Sequence, residues 1–154
     1  MSKDSGLLGQ NKKAFHNYLI EEKFEAGIVL IGCEVKSLRK GECTLTDSYI
    51  QIKDGELWLH HCYISPFKEG NRYNDDPSRL RKLLVKKYEI IKLEKKLKQQ
   101  QRYLIPLRFY LKGNRIKLSV GLCKSKKLFD KRQTLKERSI KKDIQRQIKS
   151  RSRY

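Results

Sequence analysis

The chain has 154 residues, and its 37 Lys and Arg outnumber its 17 Asp and Glu, giving a formal net charge of +20 at pH 7. This length suits one domain with appendages, large enough to bury a core without disulfides. The charge favours a polyanionic partner, because Lys and Arg that neutralise phosphates release condensed counterions. No apolar run approaches the ~20 residues that span a bilayer, and the N-terminus lacks the apolar segment of a secretory signal. We therefore expect a cytoplasmic protein with no membrane partner.

The N-terminal third contains one predicted strand. Residues 1–10 are expected to be flexible. The short β-branched run 28–35 is typical of a strand, and a possible helical turn at 36–40 ends where Gly41 breaks the pattern.

The stretch "SYIQIKDGELWLHH" predicts a β-hairpin. Apolar residues alternate on both sides of Asp54-Gly55, and a two-residue type I′ turn needs two residues that tolerate positive φ. The adjacent His60 and His61 are expected to point to opposite faces of the strand, so they cannot share one catalytic site.

One helix, or two helices in series, is predicted over residues 78–102. Asp76 supplies a capping carboxylate and Pro77 suits the first helical position. The segment contains neither Gly nor Pro. Its expected apolar face consists of Leu80, Leu84, Tyr88 and Ile91.

A second hairpin follows in "YLIPLRFYLKGNRIKLSVG". Apolar residues alternate before and after Gly113-Asn114. At least five strand candidates with one internal helical segment predict a small, mainly antiparallel β-barrel. We expect this domain to span residues 11–123 and to leave the rest of the chain outside it.

Residues 124–154 form a basic tail. From Asp130 onward the chain contains ten Lys or Arg and only three Asp or Glu. Ile140, Ile144 and Ile148 recur every fourth residue and so lie on one helical stripe. Because this apolar stripe is narrow and like charges crowd the rest of the segment, we expect a tail that is disordered when free and helical once phosphates neutralise it. A solvated tail that only aids nonspecific association is the alternative.

The four cysteines are widely scattered and form no C-x-x-C pair. Zinc ligands are normally clustered at short spacing, so we expect reduced, partly buried thiols, no metal and no cofactor. The sequence also shows no nucleophile–base pattern and no phosphate-cradling glycine loop, which argues against an enzyme.

Several blocks, in the same order, resemble the small protein B (SmpB) family, the bacterial partner of transfer-messenger RNA (tmRNA) in rescuing stalled ribosomes. They are "NKKAFHNYLI", "FEAGIVLIGCEVKSLRKGE", "DSYIQI", "DPSRLRKLLV", "IPLRFY" and "KKLFDKR". The resemblance implies a six-stranded oligonucleotide-binding (OB)-like barrel with about three packed helices. It also implies binding to the tRNA-like domain of tmRNA, delivery to the A site, and a tail that probes the empty mRNA channel. The implied partners are tmRNA, the ribosome and, through the RNA, elongation factor Tu with GTP, and the protein is expected to be a monomer.

The resemblance also implies two sets of site residues. On the tmRNA side they are Asn11, Lys12, Lys13, His16, Glu25, Leu84 and Lys86. Without the resemblance, Asn11 would be interpreted as a helix cap, His16 as an ordinary imidazole, Glu25 as a solvated carboxylate and Leu84 as core. Because Glu25 repels phosphate, its expected role is to accept hydrogen bonds from RNA or to orient a basic neighbour.

On the ribosome side, cations and a stacking ring are expected at the decoding centre and in the mRNA channel. Phe129 offers a ring for base stacking, and Asp130 orients a cation or caps the tail helix. The family commonly has Gly in place of Ser125, His or Tyr in place of Phe129, and a Gly-Tyr-Thr run in place of residues 101–103. The full set is Lys124, Lys126, Lys127, Phe129, Asp130, Lys131, Arg132, Lys136, Arg138, Lys141 and Lys142. A generic OB-fold, ribosome-associated RNA-binding protein is the alternative function.

Overall fold

The structure, a computed structural model, describes residues 6–70, 75–99 and 101–151, and for residues 70, 128–130 and 151 it describes the backbone alone. This part of the chain contains nine strands and four α-helices. In chain order they are β1 (Leu7–Gln10), α1 (Lys12–Asn17), β2 (Tyr18–Ile28), α2 (Gly32–Arg39), β3 (Cys43–Thr44), β4 (Tyr49–Lys53), β5 (Glu56–His60), β6 (Tyr63–Ile64), β7 (Arg81–Leu84), α3 (Lys87–Gln99), β8 (Tyr103–Lys112), β9 (Arg115–Ser125) and α4 (Leu128–Arg151).

Six strands form a closed antiparallel ring. The order runs from β8 through β4, β5, β7 and β2 to β9, and β9 pairs back with β8. Strand β1 adds to β8, while β3 and β6 form a separate two-stranded sheet. The expected six-stranded antiparallel barrel is thereby confirmed.

Alternating apolar side chains fill the ring. Leu57, Leu59, Phe109, Leu118 and Val120 are completely buried, and each such burial contributes about 1.5–3 kcal/mol. Helices α2 and α3 close over this core with Leu38, Ile90 and Leu93. Together with α1 they make up the three packed helices that were expected beside the tail.

A second, smaller core lies on the outer side of the barrel. Two strands shift register there, β2 between Ile20 and Glu22 and β8 between Pro106 and Arg108. Such bulges turn side chains from one face of a strand to the other. Apolar residues before the shifts therefore pack under α1. This outer core contains Ala14, Ile105, Leu107 and Cys123, with Phe15, Tyr18 and Ile20 packed against it.

Both predicted hairpins are confirmed. Asp54 (φ 52°) and Gly55 (φ 71°) carry the positive φ values that the β4–β5 turn requires. In the β8–β9 turn Gly113 has a φ of 62°.

Two expectations for the N-terminal third are wrong. Residues Leu7–Gln10 form β1 and pair with β8, so the predicted flexible segment ends before residue 7; residues 1–5 lie outside the described part. The run 28–35 is not a strand, because β2 ends at Ile28 and α2 begins at Gly32. The Glu34 carboxylate accepts the Ile31 N–H at 3.1 Å and satisfies this helix start.

The predicted helix 78–102 is only half correct. Asp76 accepts the Ser78 N–H at 2.9 Å in a turn and caps no helix. Arg81–Leu84 then forms β7 between β5 and β2, and helix α3 begins only at Lys87. The four residues predicted to form the apolar face are all about half exposed; they are Leu80 (51%), Leu84 (53%), Tyr88 (64%) and Ile91 (54%).

A buried ion pair between Arg81 and Glu34 accounts for the position of strand β7 in the barrel. Arg81 is completely buried, and its Nε donates to Glu34 Oε1 at 2.8 Å while Nη1 donates to the Cys62 carbonyl at 2.7 Å. Arg79 Nη2 donates to Glu34 Oε2 at 2.7 Å. Burial alone raises the pKa of Glu34, but hydrogen bonds from Arg79, Arg81 and the Ile31 N–H outweigh it, so this pKa lies below its ordinary value. The cluster ties α2 to β7.

The tail and the cysteines have simple environments. The tail is a continuous helix from Leu128 to Arg151, and residues 152–154 lie outside the described part. In the described residues, no helix has the length and apolar character needed to cross a bilayer. All four cysteines are free thiols, as expected. Burial raises the pKa of the Cys62 thiol to about 12 and that of Cys123 to about 11.

The buried pair yields a stability prediction. Glu34→Gln leaves the Arg81 charge buried without its counter-charge, and we expect a loss of about 3–5 kcal/mol in the free energy of unfolding, measured by urea denaturation near neutral pH. Because the pKa of folded Glu34 is lowered, its contribution is present above the unfolded value of about 4.3 and is lost as pH falls through the folded pKa. The difference between wild type and variant should therefore shrink in acid.

The control for this measurement is Glu56→Gln. Glu56 pairs with Lys82 at a site where both side chains are about 40% exposed, so the same change of charge should cost only about 0–1 kcal/mol. Equal losses for the two variants would contradict the role given to the buried pair.

Candidate nucleic-acid interface

One outer surface of the barrel combines cations, aromatic rings and a single carboxylate. It is formed by the outward residues of β2, β9 and β8, which alternate with the core residues of the same strands. We call this surface the β9 face and define it by Lys23, Glu25, Arg108, Tyr110, Lys112, Lys117 and Ser119.

Glu25 lies at the centre of the β9 face. The Tyr110 hydroxyl donates to its Oε2 at 2.6 Å, and the Lys112 ammonium lies 3.1 Å from both carboxylate oxygens. Ser119 is its partner in the β2–β9 register. Glu25 therefore holds Tyr110 and Lys112 in place, which agrees with the expected role of orienting a basic neighbour.

These contacts shift the pKa values of Glu25 and Tyr110 in opposite directions. The hydrogen bond from Tyr110 lowers the pKa of Glu25, and the positive charges of Lys112 and Lys117 lower it further. Burial and the bond to Glu25 together raise the pKa of Tyr110 to about 12. Glu25 is thus charged and Tyr110 protonated at neutral pH.

Two aromatic rings on this side of the barrel lie beside cations. The Arg108 guanidinium is 5.7 Å from the centre of the Tyr110 ring, and the Lys23 ammonium is 5.8 Å from that of Phe15 in α1. Both distances are in the range of cation–π attraction. Lys23 therefore joins α1 to the β9 face.

Leu84 borders the β9 face across the β2–β7 pair. It pairs with Gly27, where a Cβ atom would come within 3.1 Å of the Leu84 Cβ. A cleft of about 330 Å³ lies here, lined by Gly27, Leu84 and Lys117, among others. Lys86 is exposed, and its ammonium is 5.8 Å from the Tyr88 ring centre. Of the predicted tmRNA residues, Glu25 and Leu84 are thus brought close together.

Asn11 is buried at the start of α1, and both polar atoms of its side chain have hydrogen-bond partners within the protein. It is only 3% exposed; its Oδ1 accepts the Ala14 N–H at 3.1 Å and its Nδ2 donates to the Pro106 carbonyl at 3.1 Å. Its polar atoms are therefore used to cap α1 and to fasten this helix to β8.

The other predicted residues of α1 remain available. Lys12 and Lys13 are exposed. His16 is half-buried, and its Nδ1 has no hydrogen-bond partner among the described residues. Because Phe15 in the same helix meets Lys23, these residues lie at the α1 end of the surface that continues to Glu25.

The ribosome-side residues are spread along the tail rather than gathered in one site. Helix α4 begins at Leu128, so Asp130 lies within its first turn and not at the N-cap, which was one of its two expected roles. The side chains of Phe129 and Asp130 lie outside the described part. Lys126 and Lys131 are half-buried. The exposed members are Lys124, Lys127, Arg132, Lys136, Arg138, Lys141 and Lys142.

The two adjacent histidines do not point apart as expected. His60 stacks on Tyr49 with ring centres 4.8 Å apart and an angle of 7° between planes, and His61 lies 5.5 Å from the same ring. The reason is the positive φ of His61 (56°), which breaks the strand alternation directly after β5. The described residues contain no cluster of three His, Cys, Asp or Glu that would bind a metal ion.

Sequence reasoning missed all four cations of the β9 face, namely Lys23, Arg108, Lys112 and Lys117, together with Tyr110. The signal was present in the second hairpin, because residues that alternate with buried Phe109 and Leu118 must point outward. What the sequence did not reveal is that β9 also pairs with β2 and so brings Glu25 to Tyr110.

Known proteins match this chain over nearly its whole length. The family model described as "SmpB protein" matches residues 8–150. The SsrA-binding protein of Clostridium tetani is 50% identical and the alignment covers 96% of this chain and 94% of the relative; that of Staphylococcus aureus is 48% identical, covering 97% of both. A chain from a solved structure described as "tmRNA-SmpB: a journey to the center of the bacterial ribosome" is 43% identical with a TM-score of 0.66, over 77% of this chain and 84% of that chain.

The fold and the site define a small β-barrel protein with a basic, aromatic-bearing surface and a long cationic helix, a combination that suits a nucleic acid. The chain belongs to the SmpB protein family.

The geometry at Glu25 predicts a change in titration. Glu25→Gln removes the charge that helps to hold the Tyr110 proton, so we expect the pKa of Tyr110 to fall from about 12 toward the ordinary value near 10. Tyrosine-labelled NMR across alkaline pH measures this shift. Glu56→Gln, which lies on β5, should leave Tyr110 unchanged, and an unchanged Tyr110 in Glu25→Gln would contradict the contact.

Proposed function

We propose that this protein binds the tRNA-like domain of tmRNA and delivers it to the A site of stalled ribosomes for trans-translation. The relatives are named as SsrA-binding proteins and, for the solved structure, as tmRNA-SmpB, which indicates the RNA partner. The β9 face provides a surface on which this RNA would bind. The observation that carries the proposal is the Glu25–Tyr110–Lys112 contact, because it fixes a ring and a cation on an otherwise basic sheet surface.

The β9 face suits a folded RNA better than an extended single strand. Structured RNA is recognised through phosphates, 2′-hydroxyls and exposed base edges. Arg108, Lys112 and Lys117 offer donors for phosphates, while Glu25 offers an acceptor for a 2′-hydroxyl or an amino group. Leu84 and the cleft beside it would receive an apolar ring or sugar surface. Lys12 and Lys13 extend this surface along α1, and Lys86 extends it beyond Leu84.

Helix α4 supplies the second contact, with the ribosome. Its cations would neutralise phosphates in the empty mRNA channel. Its apolar stripe is left uncovered by the barrel, since Ile140 (57%), Ile144 (50%) and Ile148 (62%) are at least half exposed. The proposal keeps the expectation that the isolated tail is largely unfolded and becomes helical on the ribosome. Phe129 would stack on a decoding-centre base, next to cations such as Arg132.

The mechanism requires no catalytic group, so we propose a binding protein and not an enzyme. It would act in the cytoplasm as a monomer, and elongation factor Tu with GTP would join through the RNA. A generic OB-fold, ribosome-associated RNA-binding protein is the alternative, and it would bind unrelated structured RNA as tightly as the tRNA-like domain at the same salt concentration.

The role of Glu25 can be tested by affinity. Glu25→Gln makes the protein more positive, and charge alone would therefore tighten RNA binding. We expect the opposite, a loss of about tenfold or about 1.4 kcal/mol for the tRNA-like domain, because Lys112 loses its counter-charge and Tyr110 exchanges a charged acceptor for a neutral one. Fluorescence anisotropy at fixed salt gives the dissociation constants.

Glu56→Gln provides the matched control, since it removes the same charge from a Lys-paired glutamate outside the β9 face. It should bind the RNA as well as wild type or slightly better. If Glu25→Gln tightened binding to the same degree, the β9 face would not be the site.

Removal of the tail should separate the two contacts. A chain that ends before Asp130 keeps the barrel and α1, so we expect nearly unchanged affinity for the tRNA-like domain. The same chain should fail to support peptide tagging on stalled ribosomes, measured in a reconstituted translation reaction. Loss of RNA affinity in the truncated chain would show that the tail and the barrel do not act as separate surfaces.

A further inference from the structure

Among the cations just before the tail helix, Lys126 differs from its neighbours. Lys124 and Lys127 are exposed, whereas Lys126 is half-buried. Its ammonium donates to the Phe15 carbonyl of α1 at 3.3 Å and to the Thr134 hydroxyl of α4 at 3.1 Å. Its backbone N–H also donates to the Asn17 carbonyl at 3.0 Å. A single residue therefore contacts both helices.

The Phe15 carbonyl is a suitable acceptor for this ammonium. The last four carbonyls of a helix lack partners within that helix, and Lys side chains near a helix C-terminus satisfy them while interacting favourably with the helix dipole. Helix α1 is itself fastened to the barrel through the Asn11 cap and the outer core. A residue bound to the end of α1 is consequently bound to the barrel.

Thr134 completes the connection from the side of the tail. It is half-buried in the second turn of α4, while residues 135–150 are exposed. The contact thus holds the base of the helix against α1 and leaves the remainder projecting from the barrel.

We propose that Lys126 is a positioning residue that latches the first two turns of α4 to α1 through Thr134. The latch sets the direction in which the tail leaves the barrel. Lys126 then contributes to the function of the tail by setting its orientation, and not by contacting a phosphate.

The latch is tested first in the free full-length protein. Spin labels are introduced as unnatural amino acids at Lys53, in the β4–β5 hairpin, and at Lys136, two residues beyond Thr134. Pulsed electron–electron double resonance should give a narrow distribution of the distance between the two labels for wild type and a broad one for Lys126→Met. Lys127→Met removes the same charge from an exposed neighbour and should stay narrow. A Lys126→Met distribution as narrow as that of wild type would refute the latch.

The hydroxyl of Thr134 supplies an independent variant pair. Thr134→Val removes the acceptor and should broaden the distribution as Lys126→Met does, while Thr134→Ser keeps it and should remain narrow. The double variant Lys126→Met with Thr134→Val should be no broader than either single one, because both remove the same contact. An additive effect would contradict this.

The consequence for the tail rests on the proposed function and is measured separately. Binding to ribosomes with an empty mRNA channel is followed against salt concentration, with the tRNA-like RNA present. Loss of a phosphate contact reduces the salt slope by about one, which we expect for Lys127→Met. Lys126→Met should weaken binding about tenfold without changing the slope. A slope reduced by about one in Lys126→Met would make it a phosphate contact. If wild type failed to bind such ribosomes, the proposed function would fail while the spin-label result still decided the latch.

Discussion

The pairing of β9 with strands on both of its edges is the constraint on which the rest of the structure depends. Its register with β2 runs from Tyr18 to Gly27 and its register with β8 from Tyr103 to Lys112, so β9 is hydrogen-bonded along almost its whole length. Two of the other strand pairings in the ring are short, since β2 and β7 share two paired positions and β4 and β8 share one. The long ladders therefore hold the ring closed, and they bring the Glu25 carboxylate to Tyr110, which lies 85 positions further along the chain.

The β9 face and the apolar seat of α1 both follow from these ladders. Beyond the two bulges, the outward positions carry the cations and the ring of the β9 face. Before them, the outward positions are apolar and bind α1. Because β9 ends beside α1, the chain that leaves it passes Asn17 and begins the tail helix there. The β9 face and the base of the tail are thus consequences of one strand, and the Glu34–Arg81 pair stabilises the barrel independently on its β7 side.

The sequence predicted those parts of the fold that local chemistry determines. The Asp54-Gly55 turn, the second hairpin and the helical stripe of the tail each depend on residues close together in the chain, and each was found. The prediction of a helix over 78–102 failed because a buried cation, Arg81, can be recognised only with its distant partner Glu34. The same reason applies to the site. Glu25 was identified through a family resemblance, but its contact with Tyr110 spans 85 positions of the sequence and has no local signature.

The central claim is that RNA binds to the β9 face while the opposite side of the barrel stays free. Amide chemical shifts of the full-length protein, followed during titration with the isolated tRNA-like domain, test it most directly. The account predicts that the largest changes occur around Lys23, Glu25, Tyr110 and Ser119 and that the β4–β5 hairpin changes little. Changes centred on that hairpin, with the β9 face unaffected, would contradict the account.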